Sequence, residues 1–185
     1  IVAVAGINAL VGGVMGMNQS QMRTIMAYSS IGHIGWMLSL LALYKPNASI
    51  MYFMIYTAFI IPLFTVFSYF NIYSTKQMNK LTAHSSMVSL TTIIMLLSLG
   101  GLPPLTGFMP KFMTVMMLTE SMNLTVFMLV LGSVMNLYFY LNIAINTMLS
   151  TPNTVTYSPI KPSVMSNLTI VAASLSLGMA PLIML

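Results

Sequence analysis

Charged residues are scarce in this sequence, and cysteine is absent. Only 4% of the 185 residues are charged, whereas soluble domains usually carry about a quarter. So few charges cannot keep a soluble surface of this size hydrated. The absence of cysteine excludes a disulfide framework and thiolate metal sites, and two histidines alone make a poor metal site.

Apolar residues dominate the composition. They make up 58% of the chain, and the mean hydropathy is +0.93, so lipid is the expected solvent. The net charge is +5, but nucleic-acid binders cluster their cations along one face. The six cations here are scattered singly, which excludes a nucleic-acid partner. They fit loop ends that orient membrane spans.

Methionine is abundant, with 21 residues. One interpretation is flexible apolar filler, since a thioether tolerates irregular packing. The other, which we favour, is translation by a mitochondrial code that reads an isoleucine codon as methionine. The chain starts at Ile1 inside an apolar run, so we expect a fragment of a longer protein with further helices upstream.

The apolar runs predict membrane-spanning helices. A span needs roughly 20 apolar residues to cross about 30 Å of hydrocarbon. The runs lie at 1–17, 24–44, 49–72, 84–119, 122–149 and 165–185. Polar, turn-like segments separate them, and three prolines make the last connection non-helical. The sequence therefore predicts one all-α, multi-pass transmembrane domain.

The fourth run, 84–119, is too long for a simple span and contains GGLPPLTG. Pro103 and Pro104 remove two backbone donors, and Gly100 and Gly101 weaken the preceding helix. The segment is either two spans joined by a turn or one span broken inside the membrane. Residues 108–119 would rise only about 18 Å, which favours one broken span. Such breaks survive only where protein or a water-filled cavity covers them.

Charge asymmetry also favours one span. Counted this way, four cations lie on one side, and one cation and one acid lie on the other. The first group is Arg23, Lys76, Lys80 and Lys161, and the second is Lys45 and Glu120. Because positive charge resists translocation, the four-cation side is expected to face the matrix of a mitochondrion.

Lys111 directly follows the break, in TGFMPKFM. In one broken span its amine lies well inside the bilayer, where a charge is costly unless it meets water, carbonyls or a partner. A buried lysine can give up its proton, so Lys111 is a candidate proton carrier. The plainer alternative is a lysine at a helix end whose amine reaches the membrane surface.

His33 lies near the middle of the second predicted helix, in SSIGHIGWM. Ser29 and Ser30 share its face at i−4 and i−3, and together they form a possible polar pathway to a residue that titrates near neutral pH. Alternatively, both serines bond backbone carbonyls and His33 only packs. Asn136 and Tyr140 share a face of the fifth helix, and a structural role is favoured for them.

No GxGxxG, Walker or HExxH pattern occurs, so covalent or redox chemistry by this chain alone is not expected. Two stretches nevertheless resemble one family. NQSQMRTIMAYSSIGHIGWM at 18–37 and SLGGLPPLTGFMPKF at 98–112 are similar to the subunit 2 family of mitochondrial NADH:ubiquinone oxidoreductase, complex I. MNLYFY at 135–140 is similar to the next helix of that family.

The resemblance implies an antiporter-like fold. In that fold 1–149 is the second helical repeat, with its broken helix at 84–119, and 165–185 is the terminal transmembrane helix. Lys111 matches the lysine of the broken helix and His33 the titratable position of an adjacent helix. The family's remaining axis residues, a glutamate and two lysines, are expected upstream.

The implied function is proton pumping across the mitochondrial inner membrane, coupled to electron transfer from NADH to ubiquinone. The implied partners are other membrane-arm subunits, lipid and protons. NADH, FMN, iron-sulfur clusters and ubiquinone would bind elsewhere in the complex, so no cofactor is expected in this chain. Two alternatives remain open: a stand-alone cation/proton antiporter subunit, and a structural subunit in which Lys111 and His33 only hold helices together.

Overall fold

The computed structural model describes residues 1–84, 86–120 and 122–149. Within these ranges the helices are α1 Val2–Met17, α2 Met22–Ala42, α3 Pro46–Tyr69, α4 Asn79–His84, α5 Ser86–Gly100, α6 Phe108–Leu118 and α7 Asn123–Leu149, with a 3₁₀ turn at Thr75–Met78. The predicted terminal helix 165–185 lies outside the described residues.

The long helices lie where the apolar runs predict them. The ends of α1, α2, α3 and α7 differ from the predicted ends by three residues or fewer. Three of them, α2, α3 and α7, are long and apolar enough to cross a membrane. The prediction of an all-α, multi-pass bundle is confirmed.

The connection after α3 differs from the predicted turn. Residues Thr75–Met78 and Asn79–His84 form short helices instead of the loop expected from STKQMNK. The physical reason is burial, since Met78 and Leu81 are completely buried in the main apolar cluster. Two apolar side chains three residues apart bury together on a helical turn.

The charged residues gather at the two ends of the bundle. At one end the Met22 N–H donates to the Tyr73 carbonyl at 2.9 Å, and the Arg23 guanidinium carbon lies 4.9 Å from the centre of the Tyr73 ring. Lys76 and Lys80 follow in the short helices. We call this the cation-rich end.

The opposite end carries Lys45, which directly precedes α3, and Glu120, which lies two residues after the end of α6. Their helices meet there, because Leu118 packs in one apolar cluster with Leu43 and Ala48. We call this the Lys45 end. The predicted grouping of the charges therefore holds for the described residues, and Lys161 lies outside them.

The broken segment crosses the bundle once. Helix α5 begins at the cation-rich end, where Val88 shares the main cluster with Met22 and Phe67. Helix α6 ends at the Lys45 end, where Leu118 lies. The two short helices therefore run in series. Residues 101–107 connect them, with Leu105, Thr106 and Gly107 buried and with Pro103 and Pro104 exposed on the surface of the bundle. This is the one-span alternative of the sequence analysis.

Glycines bring α1 into close contact with α2 and α7. A Cβ on Gly12 would lie 2.6 Å from the Tyr28 carbonyl oxygen, and a Cβ on Gly13 would lie 3.0 Å from the Gly132 carbonyl oxygen. Small residues of this kind let helix backbones approach closely in membranes. Helix α1 thereby fixes the spacing between α2, which carries His33, and α7.

Candidate functional site

Glycine and proline residues form the break between α5 and α6. Gly107 packs against the Ser98 carbonyl, which leaves no room for a side chain there. Gly101 has φ +88°, a left-handed conformation that glycine adopts without strain. The chain thus leaves the helix at Gly101 and folds back onto it at Gly107 before α6 begins.

Two consecutive prolines leave two consecutive carbonyls without helical partners. In an α-helix the carbonyl of residue i accepts from the N–H of residue i+4. Pro103 and Pro104 stand four residues after Leu99 and Gly100, and proline has no N–H to donate. The carbonyls of Leu99 and Gly100 therefore need other donors inside the membrane.

Lys111 supplies those donors. Its Nζ donates to the Leu99 carbonyl at 2.9 Å and to the Gly100 carbonyl at 3.0 Å. The side chain is only 6% exposed, so the amine lies inside the bundle and not at a membrane surface. The sequence holds a single acid, Glu120, which is exposed. Carbonyl dipoles, and not a carboxylate of this chain, therefore face the charge of Lys111.

An ammonium group has three N–H donors, of which the two carbonyls occupy two. A cavity of about 220 Å³ lies beside it, lined largely by apolar side chains of α2, α6 and α7, among them Trp36, Phe112 and Leu137. The cavity is large enough for several water molecules. The cavity thus leaves space beside the amine for a partner to its remaining donor.

His33 lies on the neighbouring helix α2 and is 4% exposed. Its Nδ1 is 2.9 Å from the Tyr52 hydroxyl, and its ring centre is 4.7 Å from that of Tyr56. Its Nε2 is buried without a hydrogen-bond partner. Lys111 is near enough to His33 for the two groups to interact electrostatically. The structure thus brings together the two residues predicted to carry protons.

A second, smaller cavity lies between His33 and the break. It measures about 10 Å³ and is lined by His33, Ser98, Gly107 and Pro110, with apolar side chains of α3. The Ser98 hydroxyl is buried without a partner, as is His33 Nε2. The cavity has room for about one water molecule.

Ser29 and Ser30 bond their own helix. The Ser29 hydroxyl donates to the Met26 carbonyl at 2.9 Å, and the Ser30 hydroxyl donates to the Ala27 carbonyl at 2.6 Å. This geometry agrees with the plainer of the two interpretations. Each serine also lies beside a tyrosine, Ser30 beside Tyr56 and Ser29 beside Tyr140, so their role in a polar pathway stays a prediction.

Sequence reasoning missed Tyr52, Tyr56 and Ser98. Tyr52 and Tyr56 are spaced i, i+4 in MYFMIY of α3, a spacing that places both on one helix face. That signal was available, but it does not reveal that the face meets His33. Asn136, expected to be structural, touches Gly32 through its amide nitrogen, while its oxygen is buried without a partner.

Within the described ranges, no group of three or more His, Asp or Glu side chains is close enough to hold a metal ion. The site therefore consists of an amine, an imidazole, phenols, hydroxyls and carbonyls. These groups can hold, pass and orient protons.

Residues 1–136 match the family model described as "NADH:quinone oxidoreductase/Mrp antiporter, TM". The chain is also 54% identical over 187 residues to NADH-ubiquinone oxidoreductase chain 2 of Lumbricus terrestris, covering 100% of this chain and 55% of that protein. With the same chain of Lemur catta the identity is 39% over 151 residues, covering 81% and 43%. The chain thus spans about half the length of the curated relatives it matches.

The fold is similar to that of a chain in a solved structure, respiratory complex I from Thermus thermophilus with bound aureothin. The TM-score is 0.85 and the sequence identity is 22%, and the match covers 98% of this chain and 43% of that chain. The helical arrangement is therefore shared with that chain.

Proposed function

Because the chain belongs to the NADH:quinone oxidoreductase/Mrp antiporter membrane family, we propose that it is part of a proton-translocating subunit of respiratory complex I. In this proposal it lies in the mitochondrial inner membrane and contacts other membrane-arm subunits. NADH, FMN, iron-sulfur clusters and ubiquinone bind elsewhere in the complex. Relatives named as chains of the oxidoreductase favour this proposal over a stand-alone antiporter.

One observation carries the proposal: the amine of Lys111 is buried and bonded to the Leu99 and Gly100 carbonyls at the break. Burial penalises the charged amine, whereas two carbonyl acceptors stabilise it. A further charge nearby then decides whether the amine is charged or neutral. At an effective dielectric near 20, a unit charge about 6 Å away contributes roughly 2 to 3 kcal/mol. That changes the ratio of charged to neutral amine by about a hundredfold.

The proposed step follows from this balance. Redox energy released elsewhere in the complex changes the charge along the membrane axis, and Lys111 takes up or releases a proton in response. His33 receives or delivers that proton through the small cavity it shares with Ser98. Ser29 and Ser30 lead from His33 towards the cation-rich end and form the possible polar pathway.

The domain organisation belongs to the same proposal. Residues 1–149 form the second helical repeat of an antiporter-like subunit, with its broken helix at 84–119. The predicted terminal transmembrane helix, 165–185, lies outside the described residues. The other repeat would supply the acidic and basic residues of the axis. A relative about twice as long as this chain has room for it.

The experiment replaces Lys111 by Ala in the assembled complex. We expect NADH-oxidising complex to accumulate at near-normal levels, while protons pumped per electron pair fall measurably. Lys45→Ala is the control, because Lys45 is exposed at the end of the bundle, and it should pump normally. A normal proton-to-electron ratio in Lys111→Ala would contradict the proposal.

A further inference from the structure

We propose that Tyr52 is a positioning residue for His33, which holds the imidazole so that Nε2 faces the broken helix. The inference rests on the proposed function, since it assigns Tyr52 a part in the proton transfer between His33 and the break. It assigns a role to a residue of α3, in a site whose proposed proton carriers lie on α2 and α6.

The hydrogen bond to Tyr52 occupies one of the two ring nitrogens. The distance from Nδ1 to the hydroxyl is 2.9 Å, and Tyr52 is only 2% exposed, so no bulk water competes for the bond. Tyr56 packs against the ring at 4.7 Å and limits its rotation. A flipped ring would lose the hydrogen bond and leave the Tyr52 hydroxyl buried without a partner, which is unfavourable.

With Nδ1 occupied, Nε2 is the nitrogen left for proton exchange. His33 lines the small cavity with Ser98 and Gly107, at the break. Neither Nε2 nor the Ser98 hydroxyl has a protein partner, and the cavity has room for about one water molecule. The hydrogen bond on one side of the ring therefore leaves the other nitrogen, Nε2, as the one that exchanges protons. Such partners fix the tautomer and direction of a histidine.

Few other titratable groups face His33 in the described part of the chain. Tyr52 and Tyr56 face it from α3, and Lys111 acts on it from α6. Helices α1 and α5 carry no titratable side chain. From α7, Asn136 packs on Gly32, one residue before His33. Removal of the Tyr52 hydroxyl should therefore affect proton exchange at His33 directly.

The test is Tyr52→Phe in the assembled complex, with Tyr56→Phe as the matched control. Both variants keep an aromatic ring, but only the first removes the hydroxyl bonded to His33. We measure protons pumped per electron pair across roughly pH 5 to 8, the range over which the charge of histidine changes. The loss of one net hydrogen bond corresponds to about half a pH unit or more. We expect the midpoint of the profile to move by that amount in Tyr52→Phe and by less in Tyr56→Phe.

A double variant separates positioning from packing. If Tyr52 acts through His33, Tyr52→Phe should change nothing further in a His33→Gln background, because coupled residues are not additive. An unchanged pH profile in Tyr52→Phe would overturn the inference, as would additive losses in the double variant. Failure of Tyr52→Phe to assemble would overturn it too, since it would mark the hydroxyl as structural.

The Lys111→Ala variant tests the proposed function independently of the role of Tyr52. If Lys111→Ala loses pumping while Tyr52→Phe retains the normal pH profile, only the role of Tyr52 fails. If Lys111→Ala pumps normally, the proposed function fails whatever Tyr52→Phe shows.

Discussion

At the scale of residues, Lys111 compensates for the double proline. The prolines remove the donors that Leu99 and Gly100 would meet in a continuous helix, and Lys111 restores two donors from the next helix. Gly101 makes this possible because it leaves the space into which the lysine side chain reaches. A Cβ on Gly101 would lie 3.0 Å from Lys111 Nζ and 3.1 Å from its Cδ.

Gly101→Ala should therefore disturb the lysine. The left-handed backbone at φ +88° costs a non-glycine residue about 1–2 kcal/mol, and the new methyl group crowds the amine. We expect fewer protons pumped per electron pair with NADH oxidation retained. Gly100→Ala is the matched comparison, because its Cβ would meet its nearest neighbours only at 3.6 Å. An equal or larger loss in Gly100→Ala would argue against this explanation.

The sequence predicted this part of the site because its signal is local. Gly100, Gly101, Pro103, Pro104 and Lys111 lie within one short segment, 100–111, and the carbonyls that Lys111 bonds are those of Leu99 and Gly100 at its start. Tyr52 was missed for the opposite reason. Its hydrogen bond joins α3 to α2 across 19 positions in sequence, and periodicity within one helix does not tell which neighbour its polar face meets.

At the scale of elements, α1 is the helix that fixes the others. Its small residues pack on α2 and α7 at backbone contact, and Gly132 of α7 packs against the Ala9 carbonyl with no room for a Cβ. Backbone cannot rotate away as a side chain can. The position of His33 relative to α7 therefore depends on glycines that have no part in proton chemistry.

Gly132→Ala should separate α1 from α7. Overpacking of this kind costs about 1–3 kcal/mol, and we expect less assembled complex in the membrane, measured by native gel electrophoresis. Gly6→Ala is the control, because its Cβ would lie 3.3 Å from the Met128 Cβ, a milder crowding than that of a Cβ on Gly132 against the Ala9 carbonyl. Comparable losses in both variants would show that the α1 interface tolerates no added methyl group, whatever the neighbour.

The ends of the long helices were predictable because apolar runs and polar turns alternate clearly. The short helices between Thr75 and His84 were not, since STKQMNK is polar and reads as a loop. Met78 and Leu81 determine the outcome there, because both are fully buried against side chains of α2, α3 and α5. Tertiary burial of this kind overrides local propensity.

At the scale of the whole molecule, charge separates the two ends of the bundle. Arg23, Lys76 and Lys80 lie at the cation-rich end, and Lys45 and Glu120 lie at the other. Both the sequence and the structure give this grouping for the described residues. Because cations are retained on the side from which the protein inserts, the cation-rich end is expected to face the matrix.

Labelling of introduced cysteines tests this orientation. The 185 residues contain no cysteine, so Lys76→Cys and Lys45→Cys each add one site to this chain, and mass spectrometry of its peptides distinguishes it from other subunits. A membrane-impermeant maleimide should label Lys76→Cys in inverted inner-membrane vesicles and Lys45→Cys in mitoplasts. The reverse pattern would mean that the cation-rich end faces away from the matrix. Ser29 and Ser30 would then lie on the side of His33 that is farther from the matrix. Protons from the matrix would then reach Lys111 along α6. Of the two halves of the broken helix, only α6 runs to the Lys45 end.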